Sequence, residues 1–155
     1  MINKKNTTLL IQQLDNKLNA FKQHKGMSMP EAGWLHAVRT TLKISLRQMG
    51  NRLSITPQSM KEIEQREKDG SITIKSLREA GKALDMQLVY GFVPKEDSLE
   101  KMVEKRAYEI AKQIVQRTSH SMMLEDQENS MQRIEKAIKE RAEEIKNEMP
   151  GYLWD

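Results

Sequence analysis

The chain has 155 residues, 37% of them hydrophobic and none of them cysteine, which excludes disulfides, thiol catalysis and thiolate metal sites. Residues 1–86 carry fifteen Lys/Arg against eight Asp/Glu, whereas residues 87–155 carry eleven against fourteen. A basic first half predicts a polyanionic partner, with ordinary surface charge as the alternative. No apolar run is long enough for a membrane span and no signal-peptide core is visible, so we expect a cytoplasmic protein.

Nearly all of the predicted elements are helices. The first lies in residues 7–23, where Leu10, Ile11, Leu14, Leu18 and Phe21 recur at helical spacing. This apolar stripe is predicted to pack against the body of the protein or against a second subunit. Gly26 and Pro30 interrupt the pattern, and residues 1–30 are therefore interpreted as an amphipathic helix and a linker.

Four short helices are predicted in the next segment, over residues 31–42, 45–53, 56–68 and 73–86. Ser45 with Gln48 has the form of a capping box, in which each residue satisfies a free amide of the other. Thr56 is followed by Pro57, which suits the first position of a helix. These signals predict a helical domain that extends, with the segment after it, over residues 31–96.

Residues 87–93 are predicted to form one short β-strand, because Leu88, Tyr90 and Phe92 alternate with Val89 and its neighbours. A strand needs a partner edge, and no other segment of the sequence offers one convincingly. The same strand of a second subunit is the expected partner. Leu88, Val89, Tyr90 and Phe92 are thus the predicted dimer strand.

Residues 97–155 are predicted to form a C-terminal pair of amphipathic helices, beginning at Asp97 and Asn129 and joined by a loop at residues 118–128. We expect the two helices to pack antiparallel and to serve in dimerisation or partner binding. The final Tyr152 to Trp154 either anchor a partner or fold back onto these helices. The whole chain is therefore predicted to be mainly α.

Residues 45–67 place two capped helices only about three residues apart, which is the arrangement of a helix-turn-helix. In such a motif the second helix enters the major groove of DNA and the first lies across the backbone. Gly50 is small enough to let the second helix approach the first. Ser54 occupies a turn position where glycine is common, so we expect a turn that is slightly strained or differently shaped.

Residues 35–86 resemble an XRE/Cro-type helix-turn-helix domain in Arg39, in S-L-R-Q-M-G at 45–50, in T-P-Q-S-M at 56–60 and in I-E at 63–64. Two longer runs, G-W-L-H-A-V-R-T-T-L-K-I-S-L-R-Q-M-G and A-L-D-M-Q-L-V-Y-G-F-V-P, are similar to the mobile mystery protein A family, and that resemblance covers about residues 7–110. It implies a lambda-repressor-like fold. It also implies an antitoxin-like protein whose partner is a Fic-fold protein, a class that transfers nucleotidyl groups to hydroxyls.

The inhibitory pattern of Fic regulators is Ser/Thr, three residues, Glu, and then Gly/Asn. The nearest match here runs from Leu124 to Asn129, with leucine where the hydroxyl belongs. Inhibition of a partner's active site by that device is therefore not expected.

The base-reading residues are predicted on the second helix of the motif, where Gln58, Ser59, Lys61 and Glu62 point outward by periodicity. Gln58 can pair with adenine, Lys61 with guanine or phosphate, and Glu62 with cytosine. The family resemblance implies base reading at positions 58, 59 and 62, whereas Pro57 departs from the usual polar residue there. The candidate phosphate contacts are Ser45, Arg47, Gln48, Thr56, Lys68 and Ser71.

Arg39 and Glu64 are assigned a structural role, because the resemblance implies a partly buried ion pair between the first and third helices of the domain. His24, His36 and His120 lie in three separate segments without metal-ligand spacing. No glycine-rich phosphate loop is present. We therefore expect no enzymatic activity, no metal and no cofactor.

These patterns predict a dimeric, sequence-specific DNA-binding regulator that represses its own promoter from a near-palindromic operator. The alternative is a protein-interaction module in which the helices of residues 97–149 bind and restrain a Fic-fold toxin partner. Double-stranded DNA, a second copy of the chain and a Fic-fold protein are the predicted partners.

Overall fold

A computed structural model describes residues 4–119 and 127–155 of the chain. Within these residues the chain is mainly α, which confirms the predicted class. The α-helices are α1 (Lys4–Leu18), α2 (Trp34–Thr41), α3 (Leu46–Leu53), α4 (Pro57–Asp69), α5 (Ile74–Ala83), α6 (Leu99–Thr118) and α7 (Gln127–Glu148). Short 3-10 helices follow α1 at Asn19–His24 and α7 at Gly151–Trp154. No helix in the described part is both long and apolar enough to cross a membrane.

The chain divides into two compact units. Unit 1 combines residues 1–25 with residues 91–155 and contains α1, α6 and α7, whereas unit 2 is residues 26–90 and contains α2 to α5. The sequence placed the first helix in a segment of its own, residues 1–30. In the structure α1 packs within unit 1, where Ile11 contacts the core of α6 and α7, so for Ile11 the partner is the body of the protein, one of the two predicted for the stripe.

Unit 2 has a small core to which all four of its helices contribute. Three of these helices begin where the capping pattern predicts, since the side chains of Ser45, Thr56 and Thr73 each accept a hydrogen bond of 3.1 Å from the amide three residues later. The Ser45 amide also donates to Gln48 Oε1 at 2.8 Å, which completes the capping box. The buried residues of this core are Leu35, Met49, Met60, Ala80 and Leu84.

The start of α2 is capped by a residue from another helix. The N-cap position is Gly33, which has no side chain and adopts φ 88°. Glu67 of α4 takes its place, because its buried carboxylate accepts from the amides of Trp34 at 3.0 Å and Leu35 at 2.8 Å. The predicted start at Glu31 is therefore wrong by three residues, since this cap is supplied by tertiary packing.

Unit 1 is built on the antiparallel pair α6 and α7. Lys146, near the end of α7, donates to Glu104 in the first half of α6 at 2.6 Å. The buried residues between these helices and the C-terminal tail are Val103, Ala107, Ile110, Ala111, Val115, Ile138, Ile145 and Leu153.

The start of α6 also receives a carboxylate from elsewhere in the chain. Asp15 of α1 accepts from the amides of Leu99 at 2.7 Å and Glu100 at 3.2 Å. The N-cap is Ser98, whose hydroxyl accepts from the Lys101 amide at 3.1 Å. Asp97 was predicted to begin this helix, but it lies outside it with φ 68°.

The C-terminal tail folds back onto unit 1. Leu153 is fully buried, and its carbonyl accepts from Arg106 Nε at 2.7 Å. The neighbouring Tyr152 and Trp154 are 43% and 57% exposed. The sequence left open whether the tail anchors a partner or folds back onto the helices. Leu153 folds back, whereas the aromatic side chains of Tyr152 and Trp154 remain partly exposed.

Residues 87–93 form no strand in the single chain, so the predicted strand is wrong for the chain by itself. The physical reason is the one that the sequence raised: in the described residues this segment makes no backbone–backbone hydrogen bond. Val89, Tyr90 and Phe92 are mostly exposed, whereas Leu88 is half-buried.

The connection between α6 and α7 departs in detail from the predicted loop at residues 118–128. α6 continues to Thr118, and α7 begins at Gln127, two residues before the predicted Asn129. The segment 120–126, which includes His120, Met122 and Leu124, lies outside the described residues.

Candidate nucleic-acid interface

The segment that the sequence singled out contains two helices and a very short turn. α3 ends at Leu53 and α4 begins at Pro57. Within the turn Ser54 adopts a left-handed conformation with φ 58°, and the Ile55 amide donates to the Gly50 carbonyl at 2.9 Å. Leu53 and Ile55 are partly buried against the core of unit 2. The turn is thus stabilised by the backbone hydrogen bond from Ile55 to Gly50 and by the apolar packing of Leu53 and Ile55.

Gly50 of α3 packs directly against the backbone of the turn and of the N-cap of α4. It is buried, and a Cβ atom built there would lie 2.7 Å from the Ile55 carbonyl oxygen and 3.3 Å from that of Thr56. Because both neighbours are backbone atoms, the clash cannot be relieved by a side-chain rotation. This geometry agrees with the reason that the sequence offered for a glycine at this position.

Gly50→Ala is therefore expected to lower the free energy of unfolding by about 1–3 kcal/mol, since α4 must move to accommodate the methyl group. Urea denaturation followed by circular dichroism measures the change. Gly81→Ala in α5 is the matched control, because its Cβ would meet the Met86 carbonyl at an ordinary 3.4 Å. Alanine there should be neutral or slightly stabilising. Equal stability of the two variants would contradict the close approach.

The predicted base-reading side chains share the exposed side of α4. Gln58, Lys61 and Glu62 are exposed, while Met60 and Glu64 on the opposite side are buried. Ser59 is half-buried and belongs to the cap, because its amide donates to Thr56 Oγ1 and its hydroxyl accepts from the same atom at 2.9 Å. Three of the four predicted residues are thus free to meet a ligand.

The candidate phosphate contacts divide into two groups. The side chains of Ser45, Gln48 and Thr56 are engaged in the caps of α3 and α4, although the Gln48 amide nitrogen stays available as a donor. Arg47, Lys61 and Lys68 are exposed, and in the part of the chain that the structure describes none of them forms an ion pair. The exposed Ser71 lies two residues beyond the end of α4.

A buried charged cluster joins α2 to α4 behind this exposed face. Arg39 and Glu64 are 8% and 6% exposed and form a two-pronged ion pair, with Arg39 Nη2 donating to Glu64 Oε2 at 3.0 Å and Nε donating to Oε1. Arg39 Nη1 also donates to the Ile44 carbonyl at 2.9 Å, and His36 Nδ1 lies 2.9 Å from Glu64 Oε2. The cluster therefore ties the first helix of unit 2 to α4 and to the loop before α3.

Burial acts to raise the pKa of the Glu64 carboxyl, but the hydrogen bonds from Arg39 and His36 outweigh burial and hold this pKa below its ordinary value. The hydrogen bond to Glu64 raises the pKa of Arg39. Both groups are therefore charged at neutral pH. Each charge is the partner that offsets the cost of burying the other.

Glu67 is the residue of this unit that sequence reasoning missed. A signal was available, because Met60, Ile63, Glu64 and Glu67 follow one another at helical spacing on the inward side of α4. An acidic residue at an inward position needs a donor, and here the donors are the free amides at the start of α2.

Residues 4–119 and 127–155 contain no group of three or more His, Asp or Glu side chains arranged to hold a metal ion. Comparison with protein-family models found no match to this chain. Comparisons with curated proteins and with solved structures likewise found no match. The resemblance to XRE/Cro-type domains and to mobile mystery protein A therefore rests on the sequence motifs quoted above.

Proposed function

We propose that this protein is a sequence-specific DNA-binding transcriptional regulator of the XRE/Cro type, acting as a dimer on a near-palindromic operator. In this proposal α3 and α4 are its helix-turn-helix. The observation that carries the proposal is the three-residue turn between two capped helices, with a glycine packed against the backbone of that turn and exposed polar side chains on the second helix. An antitoxin-like autorepressor in the cytoplasm is the specific role that the family resemblance favours.

The proposed recognition follows from the position of each residue on α4. Gln58 is the second residue of the helix and therefore lies at the end that would enter a major groove first. Its amide can pair with adenine, and Lys61 and Glu62, almost one turn later, can pair with guanine or phosphate and with cytosine. Arg47, in the first turn of α3, is exposed and free of ion pairs among the described residues, which suits a phosphate contact.

Gln58→Ala is expected to cost about 1–3 kcal/mol of binding free energy on the cognate site and to relax the preference at one base position. Footprinting on the DNA upstream of the gene would locate that site, and titration of base-substituted duplexes would measure the effect. Gln65→Ala is the matched control, since it removes an exposed glutamine from the same helix where the side chain only bonds Asp69. If Gln58→Ala combined with Lys61→Ala leaves specific binding intact, α4 is not the reading helix.

Arg47→Ala separates a phosphate contact from base reading in the same assay. It should weaken binding to all duplexes alike and reduce the slope of log affinity against log salt by about 1. A base-dependent loss would instead assign Arg47 to recognition.

Dimerisation is proposed to run through residues 87–93. The segment belongs to no helix, its backbone groups have no backbone partner among the described residues, and Val89 is 69% exposed. Antiparallel pairing with the same segment of a second copy would satisfy those groups. Two copies would also present two recognition helices to half-sites about one DNA turn apart.

Val89→Pro is expected to disrupt the dimer, because proline removes a backbone donor from the ladder. Operator affinity should fall with the loss of the second half-site. Val89→Ala keeps the backbone amide and should remain dimeric at the same concentration. Sedimentation equilibrium measures the mass and a duplex titration the affinity. A proline variant that stays dimeric and binds like the parent would move the interface to α1 or to the C-terminal helices.

The second candidate function is restraint of a Fic-fold partner by the C-terminal helices. It is favoured by Met131, a large apolar side chain that is 67% exposed on α7. Deleting residues 97–155 would be a poor test, because Ile11 and Asp15 of α1 would lose the helix that they pack on and cap. Met131→Glu in the full chain is cleaner: loss of control over a co-expressed Fic-fold protein with DNA binding retained would support this second role.

A further inference from the structure

An aromatic side chain near the start of the chain packs on the proposed dimer segment, residues 87–93. The last three residues of that segment, 91–93, belong to unit 1 together with the 3-10 helix Asn19–His24. A Cβ atom built on Gly91 would lie 2.5 Å from Cε2 and 2.6 Å from Cδ2 and Cζ of the Phe21 ring. Gly91 does not adopt a positive φ, so its backbone conformation does not require glycine. It is the Phe21 ring that occupies the space in which a side chain at position 91 would begin.

The chain that follows the dimer segment is also held by the N-terminal residues of unit 1. The Lys25 ammonium donates to the Lys95 carbonyl at 3.2 Å and lies 3.8 Å from the Asp97 carboxylate. Pro94 is buried, and Val93 is half-buried. The chain is therefore contacted from the N-terminal residues at position 91 and again at positions 95 and 97.

These contacts leave free the groups that dimerisation would use. Among the described residues, the N–H and C=O groups of residues 91–93 have no backbone partner. The Phe92 side chain is 81% exposed. A segment that is held in place before its partner arrives loses less conformational freedom on pairing, and this favours association.

We propose that Phe21 is the positioning residue of the dimer segment. Its ring packs on Gly91 and holds residues 91–93 in place for pairing with the same segment of a second copy of the chain. The inference rests on the proposed dimerisation and adds to it a contribution from the 3-10 helix Asn19–His24. Phe21 acts on the partner copy only through Gly91 and its neighbours.

The dimer dissociation constant of the full chain tests this role, measured by sedimentation equilibrium over a dilution series. Phe21→Ala should weaken the dimer by about tenfold or more, because the released segment must then be ordered on pairing. Gly91→Ala should weaken it similarly, since its methyl group displaces the ring. Tyr108→Ala removes a partly exposed ring from α6 of the same unit and should leave the constant unchanged.

The double variant Phe21→Ala with Gly91→Ala separates positioning from a general loss of stability. Without the ring the new methyl group has room, so the double variant should dimerise no worse than Phe21→Ala alone. Two independent structural defects would instead multiply their effects on the dissociation constant.

Limited chymotrypsin digestion tests the contact without a dimer, at a protein concentration where the parent is monomeric. Cleavage after Tyr90 and Phe92, identified by mass spectrometry, should be about tenfold faster in Phe21→Ala, because the segment opens more often. Tyr108→Ala should be cleaved there at the parent rate.

Four results would overturn the proposal. Equal cleavage of Phe21→Ala and the parent would show that the ring does not hold the segment. A Phe21→Ala variant that dimerises like the parent, or no better than Tyr108→Ala, would remove the positioning role. Multiplied effects in the double variant would do the same. If Val89→Pro also stays dimeric, the proposed dimer segment is itself wrong, whereas dissociation of Val89→Pro alone confines the failure to Phe21.

Discussion

Glu64→Ala is expected to lower the free energy of unfolding by about 3–5 kcal/mol, because it leaves the Arg39 guanidinium buried without its anionic partner. Arg39 is only 8% exposed, so its guanidinium is largely shielded from water. Urea denaturation of the full chain measures the change. The matched control is Glu62→Ala, which removes an exposed glutamate from the same helix and should change stability by less than about 0.5 kcal/mol.

A double substitution tests whether the loss comes from the unpaired charge or from the packing of α4. Arg39→Met combined with Glu64→Leu removes both charges and restores apolar volume, so it should cost less than Glu64→Ala alone. The losses of unfolding free energy for Arg39→Met and for Glu64→Leu alone are measured as well. If the double variant loses at least as much as the sum of these two losses, the pair stabilises the fold through its packing and not through the pairing of its charges.

The same pair predicts how stability depends on pH. The hydrogen bonds from Arg39 and His36 outweigh burial and lower the pKa of Glu64 from its ordinary value of 4.5. A carboxyl with a lowered pKa in the folded state contributes stability above the pKa of the unfolded chain, and this stability is lost as the pH falls through the folded pKa. Below about pH 4.5 the parent should therefore lose stability more steeply than Glu64→Gln, which has no proton to gain. Parallel curves between pH 7 and pH 3 would contradict the assignment.

Leu153→Ala is expected to lower the free energy of unfolding by about 2–5 kcal/mol, through lost burial and the cavity that remains. Leu153 is 0% exposed and lies in the same cluster as Val103 and Ile145 of α6 and α7. The change is measured by urea denaturation monitored by circular dichroism.

Tyr152→Ala is the control for this substitution, because Tyr152 is 43% exposed and is not among the core residues of unit 1. It should cost clearly less than Leu153→Ala. If the two variants lose the same small amount, the tail does not contribute to the core, and its residues would again be candidates for anchoring a partner.

Local features were predictable because each involves residues close together in the chain. Ser45 and Gln48 satisfy each other's amides across three residues, and Thr56 with Pro57 begins α4 in the same local manner. A small residue at Gly50 was also predicted, from the short turn between α3 and α4, and a Cβ there would meet the backbone of that turn. The exposed side of α4, with Gln58 and Lys61, follows from helical periodicity alone.

Other features depend on residues that are distant in sequence, and pattern reasoning could not pair them. Glu67 caps α2 from 33 and 32 residues away, and Asp15 caps α6 from 84 and 85 residues away. The predicted start of α2 at Glu31 missed its cap, because the carboxylate comes from another helix. At α6 the local N-cap is Ser98, one residue after the predicted Asp97, and the additional contact from Asp15 could not be read from the local pattern. The predicted strand at residues 87–93 is absent from the single chain for a related reason. Alternating apolar residues indicate which side chains would share a face of a strand, but they do not show whether another strand is present to pair with it.

The amino-acid sequence by itself determined that this protein is mainly helical, where most of its helices lie and which side of α4 meets solvent, because periodicity and capping are properties of neighbouring residues. Only the tertiary structure decided that α1 packs with α6 and α7, that Leu153 returns to their core and that Glu67 completes α2. These contacts depend on which apolar faces and which unsatisfied amides meet when the chain folds. That matching is a property of the packed molecule, and no short stretch of sequence specifies it.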